Sequence, residues 1–116
     1  MYKLEYLPVA RRDLVDIARY VSGVLGSPGA AERLALELVE AAEGILRFPY
    51  ANPVYLPIRP LKREYRKCMA GNYLILYWAV EEKKLITVAR VVYARRNYDL
   101  LLGVTDKGWT IPKKQV

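Results

Sequence analysis

Among its 116 residues the chain has no histidine, one phenylalanine and a single cysteine, Cys68. Without histidine, and with only one thiol, the usual His/Cys transition-metal sites are excluded. Ser-His-Asp and Cys-His nucleophilic arrangements are excluded as well. Cys68 has no partner for an internal disulfide, which fits a reducing cytosol. Long apolar runs are also missing: none approaches the ~20 residues of a membrane helix. The opening Met1-Tyr2-Lys3-Leu4-Glu5 lacks the apolar core of a signal peptide. The seven glycines are scattered, and none belongs to a phosphate-cradling loop. These absences describe a soluble cytoplasmic protein with no membrane partner, metal or cofactor, in which any catalysis must use Arg, Lys and Tyr.

What is present is positive charge, unevenly placed. The formal net charge is +7. Residues 1–50 carry six Lys/Arg against seven Asp/Glu, and residues 51–116 carry thirteen against five. The whole surplus lies in the second half, which points to a nucleic acid or an acidic protein as partner.

Tyr2 to Leu7 alternates like a half-buried strand, with Tyr2, Leu4 and Tyr6 on one face. Pro8 opens a helix in which Ala10, Leu14, Ile17, Val21 and Leu25 recur at helical spacing, and Gly23 and Gly26 end it. Ser27-Pro28 caps a second helix running to Arg47, with Leu34, Leu38, Ala41, Ala42 and Ile45 as its apolar stripe. Leu36, Val39 and Leu46 widen that stripe, as in a helix with more than one neighbour. The short link between the helices implies an antiparallel hairpin. Pro49, Pro53, Pro57 and Pro60 mark an extended loop.

Three strand-like segments then follow across short turns, the pattern of an antiparallel meander: Leu61–Met69, Tyr73–Val80 and Ile86–Val92. Gly71-Asn72 makes the first turn, and Glu81 to Lys84 the second, where the two carboxylates read as solvating charge. The fold class is α+β, with an N-terminal strand and a helical hairpin packed on a twisted antiparallel sheet. The expected core sets Leu14, Ile17, Val21, Leu34, Leu38 and Ile45 against Leu76 and Val88. One domain over 1–102 and a tail over 103–116, with Trp109 inside it, account for the chain.

The Arg, Lys and Tyr residues suit one reaction class. RNA cleavage by the substrate's own 2′-OH needs cations around the phosphate and a proton donor or acceptor, and no protein nucleophile. Arg63, Arg66, Lys67, Arg90, Arg95, Arg96, Tyr93 and Tyr98 can supply these. The same residues can hold an acidic polypeptide or a DNA-bound enzyme without chemistry, and binding is the favoured reading. Arg90, mid-strand beside Ile86, Val88 and Val92, reads equally as a structural arginine paired with a buried carboxylate. Tyr73, Tyr77 and Trp78 read as packing, and Cys68 as an inert strand residue.

Ala70-Gly71-Asn72-Tyr73-Leu74-Ile75-Leu76-Tyr77 and Val88-Ala89-Arg90-Val91-Val92-Tyr93-Ala94-Arg95-Arg96-Asn97-Tyr98 resemble the RelE/ParE superfamily of toxins from type II toxin–antitoxin pairs. Tyr93 stands where a His is frequent in that group, and Asn97 where an Asp is frequent. The resemblance implies a toxin neutralised by a cognate antitoxin, in a toxin–antitoxin hetero-oligomer. RelE-like members cut mRNA on the ribosome, and ParE-like members poison DNA gyrase. RelE-like members place an arginine after the Gly-Tyr that opens the middle strand, whereas here Asn72-Tyr73 is followed by Leu74. The resemblance therefore implies a ParE-like gyrase inhibitor. Its alternatives are a ribosome-dependent mRNA interferase, with Arg66, Arg90, Arg95, Arg96 and Tyr98 catalytic, and a non-toxic interaction module. Target or antitoxin binding is expected at Lys62, Arg63, Arg66, Lys67, Tyr93, Arg95, Arg96 and Tyr98.

Overall fold

The computed structural model describes residues 1–24, 26, 28–55 and 61–95. Two helices pack on a four-stranded mixed sheet, an α+β fold. Strand β1 (Lys3–Tyr6) leads into α1 (Pro8–Arg19), then α2 (Pro28–Arg47), β2 (Arg66–Ala70), β3 (Tyr73–Val80) and β4 (Leu85–Tyr93). The sheet order is β1-β4-β3-β2. Strands β2, β3 and β4 form the expected antiparallel meander. The N-terminal strand adds to it in parallel, pairing Lys3 with Leu85 and Tyr6 with Val88. A parallel neighbour needs a crossover, and the two helices and the Pro-rich link provide it.

Local chemistry sets the boundaries. Pro8 occupies the first turn of α1, where a missing N–H costs nothing. The helix ends at Arg19, but the coil does not stop there: it widens into a π-helical turn over Tyr20–Val24. Gly26 then takes a left-handed φ of 63°, which a Cβ would oppose. The expected cap Ser27 and the segment with Pro57 and Pro60 lie outside the described residues. Gly71 makes the β2–β3 reversal at φ 60°. Glu81–Lys83 form a single 3-10 turn closed by Lys84 at φ 49°. The first meander strand starts at Arg66 rather than Leu61, because the chain before it runs as a bent edge segment. Along that edge Val54 bridges Arg66, and Tyr55 N–H donates to the Tyr65 carbonyl.

The sheet is covered on both faces. On the helix side, Ala10 and Ile45 meet Ile75, Tyr77, Ile86, Val88 and Val91, with Leu14, Ile17 and Leu38 packed around them. On the other side, Leu7, Tyr55 and Tyr65 cover Leu74, Leu76, Trp78, Ala89 and Val92. Leu76 thus belongs to the opposite face from the one expected. Side chains alternate along β3, so Leu76 cannot share a face with Tyr77 and Ile75. Strand β4 breaks its own alternation: Leu76 pairs with Arg90 but Tyr77 pairs with Val88, leaving Ala89 as an extra residue. This bulge puts Val88 and Val92 on opposite faces, where strict alternation would put them together. Leu36 and Val39 are exposed (65% and 54%), so the broad stripe of α2 does not mean a second neighbour among the described residues.

Helix α1 lies on β4, and α2 lies on β2. Helix α2 also meets the π-helical turn that continues α1. Between the two helices runs an open apolar groove of about 480 Å3, lined by Leu14, Ile17, Val21, Leu34 and Leu38. Among the described residues no helix is long and apolar enough to cross a membrane.

Candidate functional site

The cations expected to act together stand in two groups at opposite ends of β3. Lys62, Arg63 and Arg66 border a cavity of about 230 Å3 beside Trp78, Ala79 and Val80, at the strand's C-terminal end. Tyr93, with Arg95 just beyond β4, lies at its N-terminal end, where Tyr93 pairs with Tyr73. Seven residues of extended strand separate Tyr73 from Val80, roughly 23 Å at about 3.3 Å per residue. Arg96 and Tyr98 lie outside the described residues.

Within the first group, local bonds occupy the guanidinium ions. Arg66 donates to the carbonyls of Asn52 (2.7 Å) and Tyr50 (3.3 Å), faces the Tyr50 ring at 5.1 Å, and keeps only 16% of its side chain exposed. It ties the Pro-rich link to the sheet edge. Arg63 lies 4.5 Å over the Trp78 ring, a cation–π contact, and its Nε is buried without a hydrogen-bond partner. Lys67, half-buried in β2, pairs with Leu76 across the sheet. Lys62 is exposed at the bend before β2.

Arg90 is paired with a carboxylate on α1. Its Nε and Nη2 donate to the two oxygens of Asp13 at 2.8 and 2.9 Å, a bidentate pair with 13% exposure on each side chain. The Val91 N–H donates to the same carboxylate at 3.0 Å. Asp13 therefore fastens α1 to β4 next to the bulge, where strand pairing is interrupted.

Glu81 does more than solvate its turn. It accepts from the Tyr2 hydroxyl (2.6 Å) and the Tyr50 hydroxyl (3.0 Å), and it pairs with Lys84. Those bonds, from Lys84 first and then Tyr2 and Tyr50, pull its carboxyl from the usual 4.5 down to about 2. Tyr50 also carries Arg66 on its ring, so one network joins the N-terminus, the link and the β3–β4 turn. Burial raises the Cys68 thiol, which disfavours the reactive thiolate. The core readings of Tyr77 and Trp78 agree with their exposures of 0% and 5%, and the Tyr77 hydroxyl donates to the Pro49 carbonyl at 2.7 Å.

A feature that sequence reasoning missed lies at the other end. The helical groove opens into a larger cavity of about 810 Å3 between α1, α2 and the β2–β3 turn. Its mouth carries Tyr20, Tyr73 and Tyr93, together with Asp16, Arg33 and Glu37. The available signal was Tyr20, an aromatic residue one position beyond a polar helix end. Among the described residues no group of three or more His, Cys, Asp or Glu gathers to hold a metal ion.

No curated protein matches the chain. Among solved structures, the toxin–antitoxin complex RelBE2 from Mycobacterium tuberculosis is similar at 26% identity. That match covers 79% of this chain and 96% of the other, with a TM-score of 0.55. The isolated E. coli RelE toxin is similar in fold, at 21% identity over 90% of this chain and 96% of the other, with a TM-score of 0.50. The family described as the ParE toxin of the type II toxin–antitoxin system parDE matches residues 4–98. That span runs from β1 through the end of β4, and the chain belongs to the ParE toxin family of type II toxin–antitoxin systems.

Proposed function

We propose that the protein inhibits DNA gyrase and is held inactive by a cognate antitoxin. The disposition of the cations carries this reading. Leu74 stands where the ribonuclease group has an arginine, and it is 4% exposed in the core. Arg66 and Arg90 are committed to local partners, and Arg63 and Arg95 belong to opposite ends of β3. Transition-state stabilisation of a pentavalent phosphate needs convergent donors, each typically worth ~3–4 kcal/mol. A gyrase inhibitor needs an exposed binding surface, for which separated cations suffice. The similarity to RelBE2, a toxin–antitoxin complex, supports the antitoxin partner. That partner contributes an amphipathic, partly acidic segment that folds on binding.

The same similarity favours a second reading, ribosome-dependent mRNA cleavage. In it Arg95, Arg96 and Tyr98 act on RNA held beside the end of β4. For either target, the surface beyond β4 is the effector end. Expression in bacteria should arrest growth, and the double substitution Arg95→Ala, Arg96→Ala should relieve the arrest without moving the unfolding midpoint. Full toxicity of the double variant would place the effector surface elsewhere.

A further inference from the structure

The mouth of the groove between the helices runs against the charge of the molecule. In a protein of net charge +7, it presents Asp16 and Glu37 with neither carboxylate hydrogen-bonded or ion-paired among the described residues. Glu37 stands at the β2–β3 turn, where a Cβ on Gly71 would fall 2.6 Å from its Oε1. Three tyrosines complete the mouth. Tyr73 and Tyr93 meet edge to face at 5.7 Å. Tyr20 lines the same cavity, and burial, then the Tyr20 and Tyr93 hydroxyls, raise the Tyr73 phenol. Half of the Tyr20 surface and 39% of Tyr93 remain open.

Phenol oxygens, ring faces and carboxylates share one preference. They take a cation with an aliphatic stem, by hydrogen bonding, cation–π contact and charge. Ile17, Val21 and Leu34 line both this mouth and the apolar groove between the helices, so the two are continuous. We propose that the mouth is a recognition pocket for one Lys or Arg side chain, carried at the end of an amphipathic helix that a partner protein lays between α1 and α2. Charge complementarity selects this occupant: an acidic residue in the same place would meet Asp16 and Glu37, with only Arg33 to answer it among the described lining residues. The inference rests on the proposed toxin–antitoxin reading for the source of the helix, an antitoxin. It adds a basic anchor to a partner otherwise expected to be partly acidic.

The test uses the full-length protein and synthetic fifteen-residue helical peptides of Leu, Ala and Gln, patterned with one apolar face. Each carries a single Arg in either the first or the last turn, and matched peptides carry Gln or Glu there. Calorimetry measures affinity, and amide chemical shifts locate the peptide. One Arg peptide should bind at least fivefold more tightly than its Gln counterpart and shift the amides of Asp16, Tyr20, Tyr73 and Tyr93. Asp16→Asn combined with Glu37→Gln, at an unchanged unfolding midpoint, should bring the Arg advantage within twofold. Equal affinity for Arg and Gln, preference for Glu, absence of binding by every peptide, or shifts confined elsewhere would each overturn the pocket. Growth arrest is scored separately. Peptide failure with arrest intact removes the pocket alone, and loss of arrest in the native protein removes the toxin reading while the peptide result stands.

Discussion

At the residue scale, one carboxylate governs how α1 meets the sheet. Asp13 receives two bonds from Arg90 and one from the Val91 N–H, all in a half-buried setting. Removing it takes away the acceptor that this guanidinium and this backbone donor share. Asp13→Ala should cost about 3 kcal/mol, read as a lowered urea midpoint. The double variant Asp13→Leu, Arg90→Met should recover most of that loss, because both charges of this pair are removed together. A single-variant cost within error of zero would show that the pair contributes nothing. The sequence offered a paired Arg90 as one of two readings but not its partner. Asp13 follows Arg11 and Arg12, and in one dimension that cluster looks like an ordinary charged helix face.

Glu81 supplies the pH-dependent counterpart. Its folded carboxyl titrates at about 2, below the usual 4.5, so its contribution is present above 4.5 and is lost as pH falls through about 2. The midpoint difference between the native protein and Glu81→Gln should stay constant from pH 6 to 5 and close between pH 4.5 and 2. A difference that persists unchanged at pH 2 would mean that the charge of Glu81 is irrelevant to its bonds. Tyr2 and Tyr50, 79 and 31 positions away in sequence, are invisible as partners until the chain folds.

At the element scale, the structure ranks positions that helical periodicity treats as equal. Ile45 is fully buried against the sheet, and Leu38 is only partly buried at the margin of the groove. Ile45→Ala should cost about 4 kcal/mol and Leu38→Ala about 2 kcal/mol. Equal costs would mean that α2 is seated with a different face down. Element type was legible because composition and turn chemistry agree over β3, β4, Gly71-Asn72 and Glu81 to Lys84. The bulge at Ala89 was not legible, because one extra residue leaves a run of apolar side chains looking unbroken. Strict alternation consequently sets Leu76 on the face of Val88, against the helices. Leu36 and Val39 read as packing for a separate reason: an apolar helix residue has the same signature whether it is covered or, as here, exposed. The splay between α1 and α2 was hidden for a related reason. A stripe wide enough to line a groove has the same sequence signature as one that fills a core.

At the scale of the whole molecule, the charge imbalance between the two halves resolves into three surfaces. Arg63 and Arg66 stand at one end of β3, Tyr93 and Arg95 at the other, and an acidic, tyrosine-lined mouth opens between the helices. Sequence reasoning found the cations but merged them into one site, because strand order does not reveal which ends of neighbouring strands coincide. Their separation and local engagement favour a binding toxin over a phosphate-cleaving one. The purified protein, free of antitoxin, settles the matter when it is added to DNA gyrase with relaxed plasmid and, in parallel, to ribosomes programmed with a defined mRNA. The account predicts loss of supercoiling or trapping of cleaved DNA, with the mRNA intact. Codon-positioned cleavage of the mRNA, with supercoiling unaffected at the same protein concentration, would contradict it.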